Sequence, residues 1–336
     1  MTTTLPTRRI GHTDLEVTIL GLGAAPLGGL LGSVDEADAM AALTTAWNGG
    51  VRYFDTAPFY GFGLSERRTG DALRLHDRDS YVLSTKVGRL LAPDPTPPGR
   101  DSGWENPLPF RPVYDYGHDG VRRSFEDSLQ RLGLHRIDIL LIHDIGEFTH
   151  GSNYQGHVDE AMAGGLRALQ ELQHEGLIGA MGIGVNETAV LMEALNHGDW
   201  DCFLLAGRYT LLEQQALDNL LPACQARGTS IICGGPYNSG LLAGGDTWNY
   251  AAAPPELIQR RDHLARVCKA HGVALPAAAL QFPLAHPTVA CVIPGARNAL
   301  ESGENLQHLS APIPAALWDD LRAEGLIRED APVPQA

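Results

Sequence analysis

The chain has 336 residues, of which 44% are hydrophobic and 19% charged, a composition typical of globular proteins and unlike that of disordered or fibrous ones. Its 25 basic and 40 acidic side chains give a net charge of −15 at pH 7, which argues against a nucleic-acid partner. No apolar run approaches the roughly 18 residues that a membrane span needs, and residues 1–9 are polar without an apolar signal segment. We therefore expect a cytoplasmic protein that has neither a nucleic-acid nor a membrane partner.

Short apolar runs alternate with longer amphipathic stretches along the whole chain, a pattern that predicts repeated βα units. The predicted strands are 18–21, 53–55, 81–86, 137–142, 178–185, 202–205, 230–233 and 289–293. The predicted helices are 35–48, 65–74, 119–132, 158–174, 187–196, 214–227, 256–271 and 301–309. A crossover helix for each strand, without a break in composition, favours a closed (β/α)₈ TIM barrel over a doubly wound sheet. The expected domain is a single barrel over residues 1–336.

Helix-end residues support this division of the chain. Ser33 precedes the first amphipathic stretch as a candidate N-cap. Gly133 and Gly228 follow two of the predicted helices, where a glycine commonly ends a helix.

Two long connections interrupt the alternation. Residues 89–118 carry seven prolines, so they cannot form a regular helix, and their aromatic content favours an irregular active-site lid over a disordered insertion. Residues 234–255 form the second connection. The aromatic residues of the two segments are Trp104, Phe110, Tyr114, Tyr116, Tyr237, Trp248 and Tyr250.

The five cysteines are widely spaced, form no CxxC pair and have no histidine nearby at ligand spacing. Reduced structural thiols and no metal site are therefore expected. Cys233 lies near the end of a predicted strand, which leaves open a nucleophilic or redox role for its thiol.

Polar residues at the carboxyl ends of strands are the candidates for chemistry, because active sites of TIM barrels lie at that end. Asp55, Lys86 and His143 end three predicted strands or directly follow them, and Tyr60 lies in the loop after Asp55. Each has a structural alternative: a helix cap for Asp55, a snorkelling stem for Lys86, a hydrogen-bonded tip for His143 and a rim aromatic for Tyr60. Their convergence at one mouth favours function, because a buried polar cluster is costly.

Such a cluster suits proton transfer at a carbonyl oxygen while a nicotinamide accepts or supplies the hydride. A phenol near pKa 10 is a poor acid or base at neutral pH, and a neighbouring ammonium lowers that pKa. We expect Lys86 to act on Tyr60 in this way, Asp55 to pair with Lys86, and His143 to orient the substrate oxygen.

Motifs spread over nearly the whole chain resemble those of the aldo-keto reductases. They are GHT at 11–13, LGLG at 20–23, FDTAPFYG at 54–61, SE at 65–66, STK at 84–86, SLQRLG at 128–133, ID at 137–138 and IH at 142–143. The resemblance implies a (β/α)₈ barrel that uses a nicotinamide cofactor without a Rossmann domain. It also implies Asp55, Tyr60, Lys86 and His143 as a catalytic tetrad, with Tyr60 as the acid/base.

The residues that resemble the family's nicotinamide site depart from its pattern. In GIGVN at 182–186, glycine replaces the serine of a Ser-Asn pair, and the asparagine is displaced to the end of the motif. The family's glutamine on the next strand corresponds to Ala206, and an aromatic that often stacks on the nicotinamide corresponds to a glycine. The residues assigned by this resemblance are Gly184, Asn186, Gly234, Pro236 and Gly240.

IPGAR at 293–297, followed by Glu304 and Asn305, resembles the family's adenosine site, the alternative being an ordinary last strand and helix start. The assigned residues are Pro294, Gly295, Arg297, Glu304 and Asn305. NADPH-using relatives often carry a basic and hydroxyl pair and a later arginine for the 2′-phosphate, where this chain has Gly295, Ala296 and Glu301. An acidic residue there would repel a phosphate, so NAD is favoured over NADP, although Arg297 could grip a phosphate.

GVN at 184–186 and DCFLLAGRYTLL at 201–212 resemble the aldose 1-dehydrogenase branch, which includes L-fucose dehydrogenases and a pyridoxal 4-dehydrogenase. Its members oxidise the anomeric hydroxyl of a sugar, or a pyridoxal hemiacetal, to a lactone with NAD(P)⁺. The resemblance thus implies a small-molecule substrate, an aldose such as L-fucose or D-arabinose. Candidate substrate residues are Trp104, Arg208, Tyr237, Trp248 and Asn249, for which loop packing is the alternative.

Three other functions remain open: a pyridoxal 4-dehydrogenase, an NADPH-dependent reductase of aldehydes or ketones, and a cofactor-binding sensor subunit of a membrane complex. The complete tetrad argues against the last. The sequence leaves the exact substrate, the direction of the reaction and the oligomeric state open.

Overall fold

The computed structural model describes residues 5–96 and 103–335, so Pro97 and Pro98 of the long connection lie outside the described residues. Its strands are β1 (Thr7–Arg9), β2 (Glu16–Thr18), β3 (Leu22–Gly23), β4 (Tyr53–Asp55), β5 (Val82–Val87), β6 (Arg89–Pro93), β7 (Phe110–Tyr114), β8 (Ile139–His143), β9 (Ala180–Val185), β10 (Cys202–Ala206), β11 (Ser230–Gly234), β12 (Thr247–Trp248), β13 (Ala251–Ala252) and β14 (Val289–Ile293).

Eight strands form one parallel sheet in the order β14-β11-β10-β9-β8-β5-β4-β3. The sheet closes on itself, because Leu20 and Gly23 form parallel bridges to Val292 and Gly295. The amide of Gly21 also donates to the carbonyl of Val292 at 2.9 Å. The predicted (β/α)₈ barrel is therefore confirmed.

Helices surround this barrel and join its strands. They are α1 (Glu36–Asn48), α2 (Leu64–Leu73), α3 (His118–Leu132), α4 (Glu147–His150), α5 (Tyr154–Glu160), α6 (Leu166–His174), α7 (Thr188–Ala194), α8 (Leu220–Arg227), α9 (Pro255–Ala270), α10 (Leu275–Gln281), α11 (Ala299–Ser310) and α12 (Ala315–Ala323). A π-helical turn, Ala161–Gly165, separates α5 from α6, so the helix predicted over 158–174 is interrupted. Gly133 and Gly228 end α3 and α8 with left-handed backbones, whereas Asp35 rather than Ser33 caps α1.

Two apolar layers follow from the alternation of side chains along the strands. One layer fills the barrel interior: Ile10, Val17, Tyr53, Ile139, Leu141, Ala180, Cys202, Leu204, Ile232, Ala290, Cys291 and Ile293. The other layer lies between strands and helices. Ile10 and Val17 belong to the hairpin of β1 and β2, which covers the amino-terminal end of the barrel and leaves the other end for a site.

The first predicted strand, 18–21, is wrong in its bounds. Thr18 ends β2, and residues 19–21 lead into β3 at Leu22, although Leu20 and Gly21 already pair with Val292 of β14. Helices α10 and α12, which pack on the outside of the barrel, are not among the predicted helices.

The connection over 89–118 contains a regular element at its two ends. Its ends pair as an antiparallel hairpin, β6 with β7, which joins Arg89 to Tyr114 and Pro93 to Phe110. Proline is tolerated in such a pair because both strands are edge strands. The connection over 234–255 likewise contains a short hairpin, β12 with β13.

Candidate active site

An ion pair between Lys86 and Asp55 lies at the carboxyl end of the barrel interior. Nζ of Lys86 is 2.8 Å from Oδ2 and 3.0 Å from Oδ1 of Asp55, and it also donates to the carbonyl of Thr56 at 2.9 Å. Both side chains point inward from adjacent strands, β4 and β5, and are about 1–3% exposed. Ser84 and Tyr53 extend the chain of hydrogen bonds, since Ser84 donates to Asp55 and contacts the Tyr53 hydroxyl.

Tyr60 lies beside this pair because the loop after β4 is packed tightly against glycine. A Cβ built on Gly28 would lie 2.5 Å from the Tyr60 carbonyl carbon. Gly61 has a left-handed backbone (φ 63°), and a Cβ built on it would lie 2.3 Å from the carbonyl oxygen of Gly28. Nζ of Lys86 is 4.8 Å from the centroid of the Tyr60 ring. The glycines therefore fix the position of the phenol next to the ammonium.

The expected lowering of the Tyr60 pKa is wrong. Burial raises the pKa of this phenol well above its ordinary value of 10.0, and the nearby charge of Asp55 raises it further. The ammonium of Lys86 does not offset these effects, since it is committed to the carboxylate of Asp55 and to a backbone carbonyl. Tyr60 is consequently a neutral phenol at neutral pH.

His143 ends β8 and faces the ring of Tyr60, with ring centroids 5.8 Å apart in an edge-to-face arrangement. Burial lowers the pKa of its imidazole well below 6.5, and the charges of Arg89 and Lys86 lower it further. Its Nδ1 is buried and has no hydrogen-bond partner among the described residues. A neutral imidazole in this position has one N–H to donate to an oxygen.

Sequence reasoning missed Arg89 and Asp144, which form a second ion pair beside His143. Nη2 of Arg89 is 2.8 Å from Oδ2 of Asp144, and that oxygen is 3.3 Å from Nε2 of His143. The Arg89 guanidinium also lies 4.2 Å from the ring centroid of Phe59. The one available sign was an arginine at the start of a proline-rich segment, which does not indicate a partner 55 residues away.

Trp104 lies against the same cluster. Its ring centroid is 5.6 Å from that of Tyr60 and 5.5 Å from that of Phe59, and the residue is 3% exposed. A backbone bridge to Leu30 holds it there. Trp104 thus forms a wall behind Tyr60.

The floor next to the ion pair has no large side chains. Gly184, Ala206 and Gly234 occupy the last inward-facing positions of the neighbouring strands β9, β10 and β11. A Cβ on Gly184 would lie 3.3 Å from Cε of Lys86. These three positions leave the barrel mouth next to Lys86 without a bulky side chain.

Asn186 lies just beyond this floor. Its Nδ2 is 3.3 Å from the Tyr250 hydroxyl and 3.4 Å from the carbonyl of Ala206. Tyr250 belongs to the turn of the β12–β13 hairpin, where it and Asn249 both have left-handed backbones. The hairpin therefore covers one side of the mouth.

Glu213 fastens this covering connection to the barrel. It accepts hydrogen bonds from Trp248 (2.9 Å) and Asn238 (3.0 Å), and Arg208 is 3.4 Å away. Arg208 also donates to Asn249 at 2.9 Å. Arg208 and Trp248, both predicted to bind substrate, are thus engaged in holding this connection.

The residues assigned to the adenosine end lie together at the amino-terminal half of α11 and the end of β14. Asn305 donates to the carbonyl of Gly295 at 3.2 Å and accepts from the Tyr237 hydroxyl at 2.8 Å. Tyr237, predicted to bind substrate, therefore lies with the predicted cofactor residues. Pro294, directly after β14, is buried, and Glu304 is exposed on α11. Pro236 and Gly240 lie close to Tyr237 in the chain.

Arg297 is paired with Glu301. The carboxylate accepts from Nε at 2.9 Å, from Nη2 at 2.7 Å and from the Arg297 backbone amide at 2.8 Å. The guanidinium charge is thus largely compensated by a neighbour on the same helix start.

The five cysteines are free and buried. Burial raises the pKa of the Cys233 thiol, which disfavours the thiolate that a nucleophile needs. Within residues 5–96 and 103–335, no group of three or more His, Cys, Asp or Glu side chains is placed to hold a metal ion. In the same part of the chain, the helices are too short or too polar to cross a membrane.

Comparisons with known proteins agree with this architecture. A family model described as the aldo/keto reductase family matches residues 19–324. Among solved structures, the holo form of an aldo-keto reductase from Bacillus halodurans superposes with a TM-score of 0.73 at 26% identity, covering 98% of both chains.

Curated relatives include two dehydrogenases. A pyridoxal 4-dehydrogenase of Microbacterium luteolum is 46% identical, over 95% of this chain and 97% of its own length. A D-threo-aldose 1-dehydrogenase of a Pseudomonas species is 40% identical, over 93% and 95% of the two chains.

Proposed function

Because the chain belongs to the aldo/keto reductase family and is an NAD(P)-dependent oxidoreductase, we propose that it oxidises the anomeric carbon of an aldose to a lactone with NAD⁺. The observation that carries this proposal is the buried Lys86–Asp55 pair, with Tyr60 beside it and His143 across from it. L-fucose and D-arabinose are the candidate aldoses.

A bound nicotinamide supplies the acceptor for the hydride that leaves the anomeric carbon. Tyr60 takes the proton of the anomeric hydroxyl, so that loss of this proton and of the hydride converts the hemiacetal into a lactone. His143, held neutral by burial, donates a hydrogen bond to the same oxygen and orients it. The ammonium of Lys86, 4.8 Å from the centroid of the Tyr60 ring, only partly compensates the charge of the phenolate that Tyr60 must become before it can accept a proton, and Asp55 holds Lys86 in place.

The residues at the mouth fit a dinucleotide. Gly184, Ala206 and Gly234 leave the floor next to Lys86 without bulky side chains, where a nicotinamide ring would lie. Asn186, whose Nδ2 donates to Ala206 and Tyr250, can accept a hydrogen bond from the carboxamide through Oδ1. Asn305 and Gly295 lie at the other end, under the connection that carries Tyr237. Pro236 and Gly240 belong to that connection, and Glu304 and Pro294 border the same end.

The pairing of Arg297 with Glu301 supports NAD over NADP. Glu301 brings a carboxylate to the segment that resembles the adenosine site and compensates the guanidinium that could otherwise bind a 2′-phosphate. The 2′-phosphate of NADP would meet the Arg297 guanidinium, whose charge is already compensated, and the Glu301 carboxylate, which repels it.

A second candidate substrate is pyridoxal, favoured by the 46% identity to a pyridoxal 4-dehydrogenase. Its hemiacetal presents the same reacting group, a ring carbon that carries one hydroxyl and one hydrogen. Tyr60 and His143 would play the same parts with either substrate, so the two candidates differ only in what the rest of the pocket accepts.

The test measures initial rates of reduced-nicotinamide formation by the purified protein. NAD⁺ and NADP⁺ are supplied separately with L-fucose, D-arabinose, other aldoses or pyridoxal. We expect turnover of an aldose, preferentially with NAD⁺, and loss of most of that turnover in Tyr60→Phe with cofactor binding retained. Turnover of pyridoxal alone selects the second candidate.

Other outcomes contradict the proposal. Reduction of simple aldehydes by NADPH without oxidation of any hemiacetal would identify a reductase. Tight cofactor binding with no turnover in either direction would instead indicate a cofactor-binding subunit. A Tyr60→Phe variant with normal rates would refute the role given to its phenol.

A further inference from the structure

Asp144, the residue after β8, has a left-handed backbone conformation, which residues other than glycine rarely adopt. Its φ is 47°, and its amide donates to the carbonyl of Gly184 at 2.9 Å, which locks the turn onto the neighbouring strand. A non-glycine residue in the left-handed region is uncommon, and such residues cluster at functional sites. The strained turn aims the carboxylate back toward the mouth, next to His143.

The carboxylate is fixed on one side and open on the other. Its Oδ2 is 2.8 Å from Nη2 of Arg89 and 3.3 Å from Nε2 of His143. Its Oδ1 accepts no hydrogen bond from any residue in the part of the chain that the structure describes. The Asp144 side chain is 19% exposed, whereas that of Arg89 is 3% exposed, so a ligand can reach the acid but not the base.

A buried pair at the opposite end of the same strand shows what a purely structural acid looks like. Asp138 accepts from Arg78 (2.6 Å) and the Leu83 amide (2.8 Å) through Oδ2, and from Arg136 (3.1 Å) through Oδ1. Both oxygens are used, and its side chain is 6% exposed. In Asp144, by contrast, only Oδ2 has partners among the described residues, and Oδ1 can accept a hydrogen bond from a ligand.

We propose that Asp144 is a substrate-binding residue that accepts a hydrogen bond from the hydroxyl next to the reacting carbon of a sugar hemiacetal. The inference rests on the proposed function. Nε2 of His143 and the carboxylate of Asp144 lie side by side, one able to donate and the other to accept. That pair complements the anomeric oxygen and the neighbouring C2 hydroxyl of an aldose, a pair that simple aldehydes lack.

The expected consequence is discrimination between hydroxylated and deoxygenated substrates. A hydrogen bond to a charged acceptor contributes enough that its loss lowers kcat/KM about 10- to 100-fold. Wild-type protein should therefore prefer L-fucose to 2-deoxy-L-fucose, and D-arabinose to its 2-deoxy analogue, by about that factor.

The experiment compares wild type, Asp144→Asn and Asp138→Asn on each aldose and its 2-deoxy analogue with NAD⁺. Asp144→Asn keeps an oxygen for Arg89 and should lower kcat/KM for the aldose about 10-fold or more, with the 2-deoxy analogue changed by less than about threefold. Asp138→Asn removes the same charge at the other end of β8 and should leave the ratio between the two substrates unchanged. Urea unfolding of each variant reports whether its fold is retained.

The outcomes separate the two proposals. Equal wild-type efficiency with both members of a pair overturns the role of Asp144 and leaves the aldose reaction intact, as does an equal loss on both substrates in Asp144→Asn. No wild-type turnover of any aldose overturns the proposed function and this inference with it. If Asp144→Asn does not fold, Asp144→Glu, which keeps the charge but moves it by one methylene, should show the same selective loss.

Discussion

The ammonium of Lys86 and the carboxylate of Asp55 form a buried ion pair in which Nζ lies 2.8 Å from Oδ2 and the side chains are 1% and 3% exposed. Removing two charges from water costs several kcal/mol per ion, and this cost is recovered only when the geometry is good and the remaining lone pairs are satisfied. Here the Ser84 hydroxyl donates a further hydrogen bond to Asp55, and the carbonyl of Thr56 accepts one from Lys86. The pair is therefore a costly arrangement, which favours the role proposed for it beside Tyr60.

Replacing one partner of this pair should damage both stability and turnover. Lys86→Met leaves the Asp55 charge buried without its partner, and we expect it to lower the free energy of unfolding by about 3–5 kcal/mol and turnover about 10²- to 10⁴-fold. Urea unfolding and initial rates measure the two effects. The double variant Asp55→Asn/Lys86→Met should recover stability but not turnover; recovery of both would contradict the role given to the pair.

The raised pKa of Tyr60 makes the pH dependence of the oxidation steep. Burial and the charge of Asp55 hold the pKa of this phenol well above 10.0, and oxidation needs the deprotonated form. As long as the pH is below the pKa, the deprotonated fraction increases tenfold for each unit by which the pH rises. We therefore expect log(kcat/KM) for the oxidation to rise with a slope near one between about pH 7 and pH 9.5. The reverse reduction uses the neutral phenol and should stay flat over that range. A plateau in the oxidation below about pH 8 would instead indicate the lowered pKa that the sequence suggested.

Gly28 supports Tyr60 from behind. A Cβ at position 28 would lie 2.5 Å from the Tyr60 carbonyl carbon and 2.7 Å from the Gly61 nitrogen, both backbone atoms that cannot rotate away. Gly28→Ala should therefore shift the phenol and lower kcat about 10- to 100-fold. Gly156→Ala, on an exposed helix with no atom within 4 Å of the new Cβ, is the matched control and should leave kcat unchanged. Equal rates for the two variants would mean that the loop absorbs the added methyl group.

The barrel and the members of the candidate site could be predicted because they depend on local patterns. Apolar runs of strand length repeat along the chain, and Asp55, Lys86 and His143 are polar residues at the ends of such runs. The predicted strands after the first overlap the observed ones because each has its own hydrophobic pattern.

Properties that depend on contacts distant in sequence could not be predicted. The pKa of Tyr60 depends on how deeply the folded chain buries it, and the partner of Asp144 lies on β6, in a proline-rich segment that did not indicate a strand. Tyr237 was assigned to the substrate because it is aromatic and lies in a long loop. Its actual partner, Asn305, is 68 residues away in the chain.

The proposed preference for NAD should depend on Glu301, because its carboxylate pairs with the guanidinium of Arg297. Glu301→Gln removes the negative charge with little change of shape and frees Arg297 to bind a phosphate, so kcat/KM with NADP⁺ relative to NAD⁺ should rise about 10-fold or more. Adding Arg297→Gln should cancel that gain. Glu175→Gln removes the same charge from an exposed pair with Arg122 and controls for the change in net charge. An unchanged cofactor ratio in Glu301→Gln, measured by initial rates with both cofactors, would show that the preference is determined elsewhere.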